Sequence, residues 1–486
     1  MQLKSLLGPE VAIRFGSGEA EVAGITADSR QVQPGWLFAA IPGSKADGTR
    51  FVPEAVARGA AAILLAQGVE ITVPTHVAVL STVEPRHALA RMAARFYPDQ
   101  PDTIVAVTGT SGKTSVADFA RQIFARLGRS AASLGTIGLV KPDGSVYGGL
   151  TTPDPVTLHR TLAELAAEGV THLAFEASSH GLDQHRLDGV RLKAAAFTNL
   201  GRDHLDYHPD MEAYLAAKLR LFTELLPPGG TAVVNADAEH AAQAIAAARA
   251  GDRTVVTAGK SGEPLKLESV ARDGFAQRLL IRHDGQAYDI RLPLPGDYQA
   301  SNALLAAGLA IAAGEPADRV LPALAELRGV KGRLEIVGKA RGGLIVVDYA
   351  HKPDALEAAL KAVRAFASGR IVCVFGCGGD RDKGKRPIMG RVAARFANHV
   401  IVTDDNPRSE RPEAIRAEIL ASCPGSREIG DRAEAIRAGV RLLGPGDLVL
   451  IAGKGHETGQ IVGSTVLPFS DHEAVRAALS ETPING

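Results

Sequence analysis

The chain has 486 residues, of which 45% are hydrophobic, so it is long enough for about three domains with separate cores. Its 54 basic and 54 acidic side chains balance, which gives no support to nucleic acid as a partner or to an acidic scaffold. No apolar run reaches membrane-spanning length, the N-terminus lacks the pattern of a signal peptide, and the three cysteines fit neither a disulfide framework nor a zinc site, so we expect a globular cytoplasmic protein.

Residues 1–98 form the first predicted domain. Two polar, turn-rich loops flank a short predicted strand at Leu37–Ile41; the first contains Ala27 and Ser29, and the second contains Ser44-Lys45-Ala46. Such loops can hold a small ligand, although ordinary loop chemistry is the simpler explanation.

A glycine-rich turn follows the first strand of the second predicted domain, residues 99–332. The β-branched run before Gly109 predicts a buried strand, and apolar residues at helical spacing predict a helix after Thr114. Gly109 and Gly112 allow several backbone N–H groups to point into one hollow, and Lys113 adds a cation for phosphate. Thr114 offers a hydroxyl to magnesium. The alternative is an ordinary turn with a solvated lysine, and the flanking strand and helix favour a nucleotide site.

Two further polar segments of this domain follow predicted strands. Glu176 ends one strand, where a carboxylate needs a partner; near a phosphate loop that partner can be magnesium, and the alternatives are a salt bridge to Arg186 or a helix cap. His204 lies in a loop rich in histidine and aspartate. It is a candidate metal ligand beside Glu176, or a structural hydrogen-bond partner.

Lys218 lies in the middle of an apolar stripe of a predicted helix, with Tyr214, Leu215 and Phe222. A lysine that faces inward loses hydration, so its pKa should fall, and a neutral amine can react with carbon dioxide to form a carbamate. The carbamate is an anionic oxygen ligand that suits magnesium. The alternative, equally compatible with the spacing, is a side chain that extends to water.

The rest of the second domain predicts an inserted hairpin over 262–292 and a long helix that opens at 296–302. The third predicted domain, residues 333–486, has four polar loops that each follow a β-rich run. In an open parallel sheet these loops meet at the carboxyl edge, where such folds bind ligands. The loops begin at Asp348, Gly376, Asp404 and Gly453.

This ordered set of motifs resembles the Mur ligases over nearly the whole chain. The motifs are Gly109-Thr110-Ser111-Gly112-Lys113-Thr114, Glu176-Ala177-Ser178-Ser179-His180, Asp203-His204, Lys218, Asp348-Tyr349-Ala350-His351 and Gly453-Lys454-Gly455-His456-Glu457. The resemblance implies an α/β fold of three domains, with a central P-loop NTPase-like, mostly parallel sheet and a C-terminal Rossmann-like domain.

The resemblance also implies an ATP-dependent, ADP-forming acid–amino-acid ligase of peptidoglycan synthesis, and through it a role in cell wall biogenesis, cell shape and cell division. Asp405-Asn406-Pro407-Arg408 resembles the loop of members that add meso-diaminopimelate to UDP-N-acetylmuramoyl-L-alanyl-D-glutamate through an acyl phosphate. L-lysine or L-ornithine remains an alternative amino acid. The resemblance implies small-molecule substrates. We also expect no nucleic acid partner, no membrane insertion and a monomeric chain.

The resemblance assigns roles residue by residue, with Lys113, Lys218 and His204 in catalysis. Magnesium would be held by Thr114, Glu176, His204 and carbamylated Lys218. ATP would be bound by Gly109, Thr110, Ser111, Gly112, Lys113, Thr114, Ser115, Asn302, Arg333 and Asp348. The UDP-sugar peptide would be bound by Ala27, Ser29, Ser44, Lys45, Ala46, Thr151, Thr152, Ser178, Gln184 and Arg186. The incoming amino acid would be bound by Arg381, Asp405, Asn406, Pro407, Arg408, Gly453 and Glu457.

The sequence departs from the family pattern at a few positions. Ser111 stands where the family usually has Asn, Lys352 stands where it usually has Thr, and Ser44-Lys45 differs from other members in the uridine loop. Two other functions remain open: a ligase similar to folylpolyglutamate synthetase, and a nucleotide-switched binding protein built on a P-loop.

Overall fold

The computed structural model describes residues 1–43, 47–147 and 151–481. The predicted contacts of Ser44, Lys45 and Ala46 lie outside the described residues. Within the part that is described, no helix combines the length and the apolar character needed to cross a bilayer. The strands form three large sheets, which follow one another along the chain, and one small two-stranded sheet.

The first sheet has five strands in the order β1-β5-β4-β3-β2. Only the pair of β1 and β5 is antiparallel. Almost every residue of β3, β4 and β5 is buried, as expected for a parallel sheet that is covered on both faces. The elements are β1 Ala12–Phe15, β2 Gly24–Thr26, β3 Trp36–Ala39, α1 Val52–Ala57, β4 Ala62–Ala66, β5 Ala78–Thr82 and α2 Pro85–Phe96.

The central sheet has eleven strands in the order β16-β15-β14-β13-β12-β11-β6-β10-β7-β8-β9. The seven strands from β14 to β7 are parallel to one another, which confirms the mostly parallel sheet predicted from the sequence. The strands are β6 Thr103–Thr108, β7 Ala131–Gly135, β8 Gly138–Val140, β9 Val146–Tyr147, β10 His172–Glu176, β11 Leu192–Phe197, β12 Thr231–Asn235, β13 Thr254–Gly259, β14 Pro264–Asp273, β15 Ala276–His283 and β16 Gln286–Leu292.

Helices cover both faces of this central sheet. On one face α3 and α8 pack together through residues such as Phe119, Ile123 and Leu305. On the other face α4 and α7 contribute Leu158, Leu162 and a row of alanines. The helices are α3 Lys113–Arg126, α4 Pro155–Ala167, α5 Ser179–Asp183, α6 Met211–Arg220, α7 Ala241–Ala250, α8 Asp297–Ala312 and α9 Ala317–Ala323, and a π-helical turn, Leu221–Leu225, continues α6.

The prediction of a single inserted hairpin over 262–292 is wrong. The segment forms three antiparallel strands, β14 to β16, which extend the central sheet at one edge. Two turns with positive φ, at Gly274 and at Asp284-Gly285, divide the segment where the sequence pattern suggested only one reversal.

The third sheet has six strands in the order β17-β18-β22-β19-β20-β21, and only the pair of β17 and β18 is antiparallel. The four predicted polar loops follow β18, β22, β19 and β20, which are adjacent, so the loops meet at one carboxyl edge. The elements are β17 Glu335–Ala340, β18 Gly343–Asp348, α10 Pro353–Arg364, β19 Ile371–Phe375, α11 Lys385–Phe396, β20 His399–Val402, α12 Pro412–Leu420, β21 Arg427–Glu428, α13 Arg432–Arg441, β22 Leu448–Ala452, β23 Gly459–Val462, β24 Thr465–Pro468 and α14 Asp471–Ser480.

The three cysteines are free and lie in the core of this third part. Cys373 and Cys423 are almost completely buried, and Cys377 is buried in the loop after β19. Burial raises the pKa of the Cys377 thiol to about 12, so little thiolate is present at neutral pH.

Candidate active site

The predicted phosphate loop joins β6 to α3. Gly109 and Gly112 have φ angles of 141° and 90°, which only glycine adopts easily. A Cβ on Gly112 would lie 2.4 Å from Asn302 Oδ1, so the amide of α8 packs directly on the loop. No side chain caps α3 at Gly112, which leaves its first N–H groups for a ligand.

The segment after β11 fixes the conformation of the phosphate loop. Asn199 Oδ1 accepts a hydrogen bond from Ser111 N at 3.0 Å, and the Thr198 hydroxyl donates to Ser111 O at 2.7 Å. The Asn199 carbonyl accepts from Thr110 N at 2.9 Å. Sequence analysis did not single out Thr198 or Asn199. The available signal was their position at the end of a strand that could pair with β6.

A cavity of about 260 Å³, here called the nucleoside cavity, lies beside the phosphate loop and is lined by Asn302, Arg333 and Asp348. Leu334 N and Ala350 N each donate to Asp348 at 2.7 Å, and burial raises the pKa of the Asp348 carboxyl. These predicted nucleotide contacts come from distant parts of the chain, and the fold brings them together. Ser115 of α3 lines the same cavity.

A second cavity of about 410 Å³, here called the reaction cavity, lies on the other side of the phosphate loop. It collects the predicted residues of phosphate transfer and magnesium binding, together with several predicted contacts of the UDP-sugar peptide. Its lining includes Lys113, Thr114, Thr151, Thr152, Glu176, Ser178, Arg186, His204, Lys218 and Arg381.

Two lysines of the reaction cavity contact the phosphate loop. Lys113 Nζ donates to the carbonyls of Gly109 and Thr110 at 2.9 and 3.0 Å. Lys218 Nζ donates to Gly109 O at 2.8 Å and lies 4.3 Å from the centre of the Tyr214 ring. Lys218 is only 1% exposed, so its side chain does not extend to water, and burial lowers its pKa well below the usual value.

The candidate magnesium ligands provide mostly oxygen donors. The Glu176 carboxylate accepts hydrogen bonds from Thr136 N at 2.7 Å and from the Thr136 hydroxyl at 3.1 Å. Its oxygens keep further lone pairs free for a metal. The Thr114 hydroxyl accepts from Arg333 at 3.0 Å. Burial lowers the pKa of His204, which therefore keeps a free lone pair at neutral pH. Magnesium prefers such oxygen donors, so the residues present fit this ion.

The alternative salt bridge between Glu176 and Arg186 does not form. Arg186 donates instead to Gln184 Oε1 at 2.7 Å and to Thr152 O at 2.7 Å. Thr152 in turn donates to Glu176 O at 2.9 Å, and Ser178 caps α5 through Gly181 N. Arg186 therefore holds the loops before α4 and after α5 together.

A third cavity of about 480 Å³, here called the uridine cavity, lies between the first and central sheets. Ala27, Gln184 and Arg186 line it, as do Asp28 and Arg86. Ser29, by contrast, is buried and donates to Glu54 Oε2 at 2.7 Å, so its hydroxyl is engaged within the first domain.

The predicted amino-acid residues cluster where the loops after β20 and β22 meet. Asn406 Nδ2 donates to Glu457 Oε2 at 3.1 Å, and a Cβ on Gly453 would lie 2.7 Å from Asp405 Oδ2. Lys454, which sequence analysis did not single out, is completely buried and donates to Asn406 Oδ1 at 2.9 Å. Nothing in the sequence of this glycine-rich loop indicates that Lys454 is buried.

Arg408 and Arg381 place two guanidinium groups near this network. Arg408 has a positive φ of 52°, and its Nη1 donates to Gly379 O at 2.9 Å. Pro407 precedes it, and the Pro407 carbonyl packs against Gly379. Arg381 extends into the reaction cavity, so the amino-acid residues adjoin the candidate centre of chemistry.

The three cavities adjoin one another through shared lining residues. Arg333 and the phosphate loop line both the nucleoside cavity and the reaction cavity, and Arg186 lines both the reaction cavity and the uridine cavity. The arrangement can hold a nucleotide and a long second substrate with their ends facing each other across Glu176 and Lys113.

Models of three protein domains match the chain in order. They are described as Mur ligase family, catalytic domain, at residues 21–97; Mur ligase middle domain, at residues 107–310; and Mur ligase, glutamate ligase domain, at residues 332–455.

Similar proteins cover the chain from end to end. A UDP-N-acetylmuramoyl-L-alanyl-D-glutamate–2,6-diaminopimelate ligase of Bradyrhizobium diazoefficiens is 60% identical over 484 residues, or 99% of each chain. The protein of the same name from Caulobacter vibrioides is 53% identical and covers 93% of this chain and 94% of its own.

Solved structures agree with this likeness. A structure with the same ligase name has a TM-score of 0.69 at 32% identity and covers 99% of both chains. A folylpolyglutamate synthase of Mycobacterium tuberculosis complexed with ADP has a TM-score of 0.64 at 20% identity, covers 76% of this chain and 91% of its own, and shares the fold alone.

Proposed function

The chain belongs to the Mur ligase family of ATP-dependent ligases, and we propose that it adds meso-diaminopimelate to UDP-N-acetylmuramoyl-L-alanyl-D-glutamate. The observation that carries the proposal is the meeting of the phosphate loop, Glu176 and Lys218 in a cavity that Arg381 also lines. The product would be a cytoplasmic precursor of peptidoglycan, made by a monomer.

Each domain has a separate task in this proposal. Residues 1–98 bind the uridine end of the substrate, residues 99–332 bind ATP and the glutamyl carboxylate, and residues 333–486 bind the amino acid. The lining residue Arg186, which the uridine cavity and the reaction cavity share, supports this division, because a single extended substrate that passes Arg186 would lead from the uridine end towards Lys113.

The first step makes the glutamyl carboxylate reactive. A carboxylate oxygen forms a bond to the terminal phosphorus of ATP, the bond from that phosphorus to the bridging oxygen breaks, and ADP leaves. Lys113 turns from the loop carbonyls to the phosphate oxygens, and Arg186 and Thr152 orient the peptide. Thr114, Glu176, His204 and the Lys218 carbamate would hold magnesium, which would neutralise phosphate charge.

The second step forms the amide. The amine of diaminopimelate attacks the acyl carbon, a C–N bond forms, the C–O bond to phosphate breaks, and the amine releases a proton to solvent. Asp405, Asn406 and Glu457 hold the amino acid head so that this amine faces the acyl phosphate. The buried Lys454 ammonium contacts all three of those side chains and so keeps them in position.

Arg408 selects the amino acid in this proposal. Diaminopimelate carries a second carboxylate where lysine has none, and a guanidinium can bind a carboxylate through two hydrogen bonds. Among the described residues, Arg408 donates to carbonyls of its own domain through Nη1, which leaves Nη2 and Nε available for a substrate.

Phosphate release with ATP, UDP-N-acetylmuramoyl-dipeptide and each amino acid in turn tests the proposal. We expect release only with all three substrates, and diaminopimelate should be used far better than lysine or ornithine. Equal turnover of the three amino acids would contradict the role of Arg408. Phosphate release without the dipeptide would instead favour a nucleotide-switched binding protein.

A further inference from the structure

Lys352 is a buried lysine whose position none of the proposed roles explains. It directly precedes α10 in the third domain, and it is only 8% exposed. Its Nζ reaches into the central domain, where it lies 2.7 Å from Asp203 Oδ2 and donates to Thr110 O at 3.2 Å. The third domain therefore inserts one ammonium group into the phosphate loop of its neighbour.

The carbonyl that Lys352 contacts is already occupied by another lysine. Lys113 donates to the same Thr110 oxygen, and Lys218 shares the Gly109 oxygen with Lys113. Three lysine side chains thus meet at two adjacent carbonyl oxygens. Lys113 and Lys352 share the Thr110 oxygen, and the repulsion between two ammonium groups at one carbonyl favours the binding of a polyanion there.

The charged residues that line the reaction cavity show the same imbalance. Among the described residues, six basic side chains face two acidic ones, Glu176 and Asp203. Asp203 is the acidic side chain that Lys352 contacts in this structure, at 2.7 Å.

Lys352 also lies at the junction of two cavities. It lines both the nucleoside cavity and the reaction cavity, as do Thr110, Ser111 and Gly112. A chain of phosphates that starts in the nucleoside cavity and ends at the reacting carboxylate must pass this junction. Its outermost phosphate would therefore lie near Lys352 Nζ, which already contacts the phosphate loop at Thr110 O.

We propose that Lys352 binds the terminal phosphoryl group of the nucleotide, so that the third domain supplies a second lysine to the phosphate site. This inference rests on the ATP-dependent reaction proposed above. The phosphoryl oxygens replace Asp203 and Thr110 O as partners of Nζ, and the contact persists while the phosphoryl group moves from ADP to the carboxylate. The third domain thereby gains a contact with the nucleotide that depends on this phosphoryl group.

A simpler role for Lys352 is an ion pair that joins two domains. Such a pair would affect every nucleotide equally, because it would change only the population of closed molecules. A contact to the terminal phosphoryl group affects only nucleotides that have that group. The affinity ratio of a non-hydrolysable β,γ-imido ATP analogue to ADP separates the two roles.

The test compares Lys352→Met with Lys385→Met in the full-length enzyme by calorimetry. Lys385 is equally buried, lies in the same region and donates to His351 O at 2.9 Å, but it lines neither cavity. We expect Lys352→Met to lower the affinity for the imido analogue by about tenfold or more and the affinity for ADP by less than about threefold. Lys385→Met should leave the ratio unchanged.

Equal weakening of both nucleotides by Lys352→Met, or no weakening of either, would overturn the proposal. Lys352→Arg keeps the charge and should keep the ratio, and Lys352→Gln replaces Lys352→Met if the methionine variant unfolds at a lower temperature. The wild-type enzyme separates this inference from the proposed function. If it binds no nucleotide or releases no phosphate, the function itself is wrong.

Discussion

Lys113 shows how one buried charge can make nucleotide binding depend on pH. Burial, together with the nearby Lys352 ammonium, lowers the pKa of Lys113 from its usual value to about 8. Bound phosphate favours the charged amine and so raises that pKa again. At a pH between the pKa of Lys113 in the free enzyme and its higher pKa in the complex, Lys113 must take up a proton when the nucleotide binds.

The affinity for ATP should therefore fall as the pH rises above about 8, by up to about one log unit per pH unit. Below pH 8 Lys113 is already charged in the free enzyme, and the affinity should be flat. Calorimetry at pH 8.5 in buffers of different ionisation enthalpy measures the proton uptake. Lys113→Met should remove the uptake, and an unchanged uptake in that variant would assign the proton to another group.

Lys218 gives a second prediction at the scale of one residue. Lys218→Ala removes the proposed carbamate and should lower turnover by about 100-fold or more, because a magnesium ligand is lost. Added formate or acetate should restore part of the activity by supplying the missing carboxylate. Carbon-13 NMR of the wild-type enzyme with labelled bicarbonate should show a carbamate signal, and full activity of Lys218→Ala without any additive would exclude this role.

Arg408 gives a third prediction. Arg408→Ala should lower kcat/KM for diaminopimelate by about ten- to hundredfold, because the far carboxylate loses its partner, and should change kcat/KM for lysine little. Arg411→Ala is a matched control, since Arg411 lies nearby and its side chain is 85% exposed. A parallel loss for both amino acids in Arg408→Ala would mean that Arg408 shapes the loop and does not select the substrate.

At the scale of elements, one ion pair joins α13 and α14 at the carboxyl end of β22 in the third sheet. Arg432 and Asp471 are the first residues of α13 and α14, both side chains are fully buried, and their two contacts measure 2.7 and 2.8 Å. Arg432 also donates to Ala452 O at 3.0 Å, directly before Gly453. The pair therefore supports the loop that carries Gly453 and Glu457.

Asp471→Ala should lower the free energy of unfolding by about 3–5 kcal/mol, because it leaves the Arg432 charge buried without a partner. Denaturant unfolding followed by circular dichroism measures the change. Asp289→Ala, which breaks the exposed pair with Arg278 on β15 and β16, should change stability little. Comparable effects of the two variants would show that burial does not determine how much these ion pairs contribute to the free energy of unfolding.

Elements were predictable from the sequence where local signals agree. The β-branched run before Gly109 and the helical spacing after Thr114 predicted β6 and α3, because both patterns lie within one short stretch. The strands β14 to β16 were misjudged, since their turns depend on backbone angles at Gly274 and Gly285 that composition does not reveal.

Motifs named candidate site residues, but not the contacts that only the fold creates. Lys218 was singled out because a lysine interrupts an apolar stripe, and its side chain is buried, while its role stays a prediction. The contacts of Asn199 and of Lys454, which belongs to a quoted motif, were missed because their partners, Ser111 and Asn406, lie 88 and 48 residues away and no local pattern encodes them. The three residues Ser44 to Ala46 stay predictions.

At the scale of the whole molecule, ion pairs join the central and third domains around the reaction cavity. Arg202 Nε lies 2.9 Å from Asp382 Oδ2, and Arg381 lies 3.7 Å from Asp206. Both pairs are partly exposed, so each stabilises the closed arrangement only slightly. A ligase that must admit and release substrates benefits from such a weak closure.

Arg202→Glu should therefore raise KM for the amino acid by about two- to fivefold, since it turns one weak attraction into a repulsion of similar size. Small-angle scattering with nucleotide bound should show a larger radius of gyration than the wild type. The double variant Arg202→Glu with Asp382→Arg restores opposite charges and should recover both values. Failure of the double variant to recover them would assign the effect to something other than this pair.

The burial of the three thiols makes opening and closing of the domains convenient to observe. Cys373, Cys377 and Cys423 are all shielded, so maleimide reagents should leave the native chain unmodified. Two cysteines introduced at exposed positions, one on α7 and one on α12, would then be the sole sites for a fluorophore pair. Energy transfer between the dyes could follow opening and closing in single molecules without first engineering a cysteine-free background.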